Sequence, residues 1–181
     1  VDDFTKEWNL AEYEQQEHKL DEIKDFFNKL KEWRNKTVVK ISDTSKGIIL
    51  IEGKKQKGRL LPILDKALNG LKEYLVRMMR DKSEHTKKEI DEVEQNLEKR
   101  PEKLNEFAQF IENLAAIEEN QHKLAQARLD LEFMHNLLRR FDSNPLLATD
   151  AADLFRVQKF VEKLSEMITS AKTYRSEKAT A

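Results

Sequence analysis

The sequence predicts a mainly α fold: an elongated antiparallel helical bundle of about four long helices, with a small β-hairpin between the first and the second. Three observations predict it. The 181 residues are 39% apolar and 37% charged, with only four glycines and three prolines, a mixture that suits long solvated helices. Residues 101–141 hold no glycine and no internal proline. Their apolar residues recur at Leu104, Phe107, Ile111, Leu114, Ile117, Leu124, Leu131, Met134, Leu138 and Phe141, the steps that keep one side of a helix apolar. Two β-prone runs, Thr37-Val38-Val39 with Ile41 and Ile48-Ile49-Leu50-Ile51, flank the turn residues between Ser42 and Gly47.

Composition bounds the function. Net charge is −1, from 33 basic and 34 acidic residues, so no overall field points to nucleic acid or to an anionic membrane surface. The absence of cysteine rules out disulfides, thiolate metal sites and thiol catalysis, and fits a reducing compartment. No apolar run reaches membrane length. A first residue of valine suggests a piece cut from a longer chain.

Taken in order, the elements divide the chain at 1–36, 37–58, 59–175 and 176–181. The first helix is expected from a cap at Asp2 or Asp3 to about Asn35, with Leu20, Ile23, Phe27 and Leu30 on one stripe, widened by Phe26 and Trp33. Upstream, Gln15 and His18 interrupt the face begun by Phe4, Trp8 and Ala11. The hairpin and a basic loop fill 37–58; a two-stranded hairpin is marginal in water, so its apolar face needs cover. A second helix starts near Arg59 or Leu60 with Pro62 in its first turn, where a missing N–H costs little. It carries Leu64, Leu68, Leu71, Leu75 and Met78, is weakened slightly at Gly70, thins through residues 81–85, and resumes at Ile90, Val93 and Leu97. Whether that polar gap is straight helix or a bend stays open. The short connection to Pro101 makes the second helix an antiparallel neighbour of the long third one, which at 1.5 Å per residue spans about 60 Å. After the break at residues 142–145, a fourth helix begins near Thr149, capped by Thr149 or Asp150. Its stripe is Leu154, Val157, Val161, Leu164, Ile168 and Ala171, and a frayed tail follows from Ser176.

Several patterns invite an enzymatic reading and fail on chemistry. Gly53-Lys54-Lys55-Gln56-Lys57-Gly58 has the glycine spacing of a phosphate-binding loop, but Arg59 and Leu60 stand where lysine and a hydroxyl residue would reach the phosphates and Mg²⁺. Lys54, Lys55, Lys57 and Arg59 remain as a basic loop able to touch an acidic partner. The Glu-x-x-His units Glu119/His122 and Glu132/His135 lie on one helix about 20 Å apart, too far to share the metal that such units hold when they come from facing helices. His18 and His85 have no ligand context. The many carboxylates mostly alternate with lysine, as on solvated salt-bridging faces. Phe26, Phe27, Trp33, Phe107 and Phe110 are spaced as bundle core, without the interleaved cations of a base-stacking platform. The expectation is a chain with no cofactor, no catalytic residue and no metal.

The order of elements resembles the dynein heavy chains, in the N-terminal tail region preceding the linker. The likeness lies in Trp33, the run Gly47-Ile48-Ile49-Leu50-Ile51, the helix start Leu60-Leu61-Pro62-Ile63-Leu64, and the long helix entered through Leu97 and Pro101, and it covers roughly residues 20–175. The lysine-rich stretch from Gly53 to Gly58 departs from it. The resemblance implies a non-catalytic structural segment of a microtubule motor, cytoplasmic and either cytoskeletal or in a ciliary axoneme. It would transmit force as a rod and dock protein partners: the rest of the heavy chain, intermediate or light chains, or a second heavy chain. Trp33, Leu64, Leu68, Phe107, Ile111, Leu114, Leu131, Leu138, Val161 and Leu164 are the expected packing determinants. The alternative is a spectrin-like cytoskeletal helical-bundle adaptor that binds a protein partner. Against it stand the hairpin and the absence of a visible repeat.

Overall fold

Apolar residues at helical period need a continuous partner surface, and they find one in a computed structural model that describes residues 9–42 and 48–180. Five helices are present among the described residues: α1 (Leu10–Glu14), α2 (Leu20–Ser42), α3 (Ile48–Glu98), α4 (Leu104–Leu138) and α5 (Ala148–Thr180). Local capping sets two starts. The Asn9 side chain accepts from the Ala11 N–H at 3.0 Å, and Glu22 accepts from the Lys19 N–H at 3.0 Å.

Among the described residues, the expected single first helix is interrupted between α1 and α2. Residues 15–19 leave the helix, and the His18 ring donates through Nε2 to the Tyr13 carbonyl at 2.8 Å. The expected caps Asp2 and Asp3, with Phe4 and Trp8, lie outside the described residues, as does the turn at residues 43–47.

The β-hairpin is not formed. No strand occurs among the described residues; Thr37, Val38, Val39 and Ile41 end α2, and residues 48–51 begin α3. Strand preference of β-branched residues is realised only against a neighbouring strand, and an isolated pair gains little. The flanking Leu, Glu, Lys, Gln and Arg residues are all good helix formers, so the helix extends through the run. The same extension makes residues 53–58 helix rather than loop and places Pro62 inside α3. α5 likewise continues to Thr180, beyond the expected fray at Ser176.

The chain forms two compact units: Val1–Arg77 with Arg140–Ser143, and Met78–Arg139 with Asn144–Ala181. In the first, Ile23, Phe27, Leu30, Leu64, Ala67, Leu68, Leu71 and Leu75 are buried. Phe27 meets Phe141 at a ring separation of 4.5 Å. Around Tyr13 an aromatic cluster collects His18 at 3.8 Å, Phe26 at 5.0 Å and Tyr74 at 6.0 Å. Burial, then the neighbouring Tyr74 and Glu22, push the Tyr13 hydroxyl up to about 12.

The second unit is a three-helix bundle. Glu118 pairs with Lys172 and Glu132 accepts from Gln158, so α4 and α5 run antiparallel. Asp130 pairs with Lys82 and Asn113 donates to Asn96, so the end of α3 is also antiparallel to α4. Its core is Met79, Ile90, Leu97, Phe110, Leu114, Leu124, Leu131, Met134, Leu137, Leu138, Val157, Phe160, Leu164, Ile168 and Ala171. The polar stretch at residues 81–85 is unbroken helix. Ser83 and Thr86 are buried there, the Thr86 hydroxyl donating to the Lys82 carbonyl at 2.8 Å, so the seam stays satisfied without an apolar side chain.

Candidate functional site

The expected packing residues divide by burial. Leu64, Leu68, Leu114, Leu131, Leu138 and Leu164 are buried; Trp33, Phe107, Ile111 and Val161 are half-buried at the edges of their stripes. In the basic stretch, Lys55 and Arg59 are exposed and Lys57 is half-buried, all three on α3. Lys54 belongs to the same helix. The Glu-x-x-His units have separate fates. His122 and Glu119 are exposed, with the His122 ring donating through Nδ1 to the Glu119 carbonyl at 2.9 Å. His135 is buried, and Glu132 is taken by Gln158 and Arg128. No group of three or more His, Asp or Glu residues could hold a metal ion among the described residues. No helix among them is long and apolar enough to cross a membrane.

Three polar arrangements stand out. The first is in the three-helix unit, where Asp150 opens α5. Its carboxylate accepts two bonds from Arg80 at 2.9 Å each and one from the Leu147 N–H at 2.8 Å. The Arg80 bonds hold the Asp150 carboxyl below the usual carboxylate range, helped by the Leu147 N–H against the effect of burial. His135 lies nearby, 3% exposed, with Nδ1 lacking a hydrogen-bond partner among the described residues, and burial lowers its pKa. The fork of Arg80 on a buried carboxylate fixes how α5 begins beside α3.

The second closes the other end of the same unit. Tyr174 donates to the Pro101 carbonyl at 2.7 Å, lies edge-on to Phe110 at 5.7 Å, and carries the Arg100 guanidinium over its face at 5.1 Å. Between α3 and α4 a groove of about 340 Å³ is lined by Val93, Ile117 and Leu124 with Asn96, Asn113 and Asn120 among its polar groups. Its lining also carries the charged side chains Glu89, Glu92 and Lys123.

The third lies in the first unit, where residues 140–143 meet α2 and α3. Lys31 donates to the Arg140 carbonyl at 3.1 Å and to Asp142 at 3.0 Å; Arg34 pairs with Asp65 at 2.6 Å; Lys72 donates to the Ser143 hydroxyl at 2.9 Å. A cleft of about 200 Å³ opens between these groups. The Lys31 bond holds the Asp142 carboxyl low.

Periodicity did not reveal these groups, because each is tied by a bond between residues 70 or more apart in sequence. Two members left a signal: Tyr174 stands three residues beyond Ala171 on the α5 stripe, and Asp150 is one of the two candidate caps of the same helix. No protein-family model, curated protein or solved structure matches this chain.

Proposed function

We propose that this chain is a non-enzymatic structural segment, a helical-bundle module that bears load along its helices and docks protein partners. The observation that carries this reading is the buried seam of α3. Leu64, Ala67, Leu68, Leu71, Leu75, Met79, Ser83, Thr86, Ile90 and Leu97 are buried in succession, serving first one compact unit and then the other. Side-chain packing along a whole helix resists extension without depending on one contact. The groove on the three-helix unit mixes aliphatic side chains with amides, two glutamates and a lysine, a composition that suits a protein surface.

Two finer readings follow. A dynein heavy-chain tail, contributing force transmission and contacts to intermediate, light or second heavy chains, is favoured by the paired long helices joined between Glu98 and Leu104. A spectrin-like adaptor is favoured by one helix serving two compact units, the economy of helical arrays. The hairpin that set the first apart from the second is absent among the described residues.

Pulling the 181-residue chain by its ends in an optical trap tests the load-bearing reading. Discrete unfolding steps are expected; a featureless extension overturns it. Reading onward in the parent open reading frame separates the finer two: an AAA+ array supports the motor tail, further three-helix units support the adaptor, and neither sinks both.

A further inference from the structure

Among the described residues, Ser143 is the only serine or threonine outside a helix. Helical hydroxyls such as Thr37, Thr86, Thr169, Thr173 and Thr180 donate back to a carbonyl one turn earlier, so reaching them requires unwinding a hydrogen-bonded turn. Ser143 instead sits exposed in the connection between α4 and α5. Arg140 and Arg139, both exposed, precede it by three and four residues. Arginines at that spacing are what a basic-directed serine/threonine kinase reads with its acidic substrate groove.

The surroundings are suited to the product. Lys72 Nζ already donates to the Ser143 hydroxyl at 2.9 Å, and Lys31 Nζ lies within 3.0 Å of the adjacent Asp142. Charged side chains in the cleft are Lys31, Arg34 and Lys72 against Asp65 and Asp142. With Arg140, whose guanidinium lies 5.1 Å from the Phe27 ring centre, the local balance is four cations to two anions. A phosphoserine brings about −1.5 to −2 charges at neutral pH, close to the surplus. Three strong acceptor oxygens would replace one hydroxyl oxygen in front of Lys72.

We propose that Ser143 is a phosphorylation site, taken by an arginine-directed kinase, whose phosphate is received by the Lys31 and Lys72 cleft and fastens residues 140–143 onto α2 and α3. In the transfer the Ser143 Oγ forms a bond to the γ-phosphorus of Mg·ATP, the bond from that phosphorus to ADP breaks, and the hydroxyl proton passes to the kinase's catalytic base. The phosphate adds charge-assisted bonds on the side of the folded state, so modification stabilises the chain rather than loosening it.

The test uses the 181-residue chain with Mg·ATP and the catalytic subunit of an arginine-directed kinase, beside a parallel reaction with an acid-directed kinase, and maps phosphate by peptide mass. Phosphate is expected on Ser143 with the first enzyme and not with the second, and Ser143→Ala abolishes it. The phosphorylated chain is expected to melt about 2–4 °C higher, the shift of one modest interaction in a chain of this size. Lys72→Gln is expected to accept phosphate and to lose most of that rise. Phosphate confined to other hydroxyls, or placed on Ser143 by the acid-directed enzyme alone, overturns the site. An unchanged or lowered melting point, or an equal rise in Lys72→Gln, overturns the receiving cleft.

Discussion

At the scale of single residues, the informative positions are polar ones with buried surroundings. His135 and Asp150 occupy one neighbourhood yet respond to acid in different windows. His135 is buried neutral, its pKa lowered from 6.5 first by desolvation. On unfolding it regains its ordinary affinity for protons, so the unfolded state binds more protons and stability falls as pH drops below about 6.5. Asp150 is held ionised, its pKa lowered from 3.8 first by the Arg80 bonds. Its contribution is present above about pH 4 and is lost as pH falls further. Denaturant midpoints measured across pH should therefore decline in two stages. His135→Leu is expected to flatten the upper stage and leave the lower one; a variant that keeps the full upper-stage decline would show that His135 is not its source. Phe27 is the apolar counterpart: fully buried, closed by Phe141, and rimmed by Lys31 and Arg140 at 5.5 and 5.1 Å from its ring centre.

At the scale of elements, Gly70 shows a local rule overridden by packing. A glycine in a helix interior costs about 1 kcal/mol relative to alanine, which is the slight weakening expected of the second predicted helix. The close approach of α1 explains the residue: a Cβ at position 70 would stand 2.8 Å from one Leu10 terminal methyl and 3.2 Å from the other. Those atoms end a flexible side chain, so the helix gain and the displacement of Leu10 oppose each other. Gly70→Ala alone is expected to change stability little. In a Leu10→Ala background the same substitution should stabilise by about 1 kcal/mol, the propensity difference without the clash. Equal effects in both backgrounds, read from urea midpoints, would remove α1 from the account. Pro62 is the opposite case, a residue placed by pattern in a first turn and found within the 51-residue α3. There it deletes one backbone hydrogen bond.

At the scale of the whole molecule, the two units draw differently on the chain. The three-helix unit is nearly continuous in sequence, needing only residues from Met78 onward, whereas the first unit borrows Arg140–Ser143 to cover Phe27. A fragment of residues 78–181 is expected to retain helical circular dichroism and to unfold in one cooperative transition. Residues 1–77 alone, without Phe141, should melt broadly or not at all. A sharp transition for the shorter fragment would show that the borrowed segment is dispensable. In the intact chain, unfolding followed by different probes then need not coincide, since the two units carry separate cores.

What the sequence determined by itself was the helical course of most of the chain. Leu64, Leu68, Leu71 and Leu75 on α3, Leu114, Leu131 and Leu138 on α4, and Val157, Leu164, Ile168 and Ala171 on α5 are all buried, because a period of 3.6 is a local property that any window of residues displays. Tertiary structure decided the rest. The runs at Thr37 and Ile48 carry strand preference, but that preference has value only beside another strand, and the helices on either side extended through it. Ser83 and Thr86 read as a gap in an apolar stripe and are buried, because the Thr86 hydroxyl finds its acceptor within its own helix. Arg80 with Asp150, Tyr174 with Pro101 and Lys72 with Ser143 each join distant positions. No local pattern specifies such pairs, because they are chosen only once the helices pack.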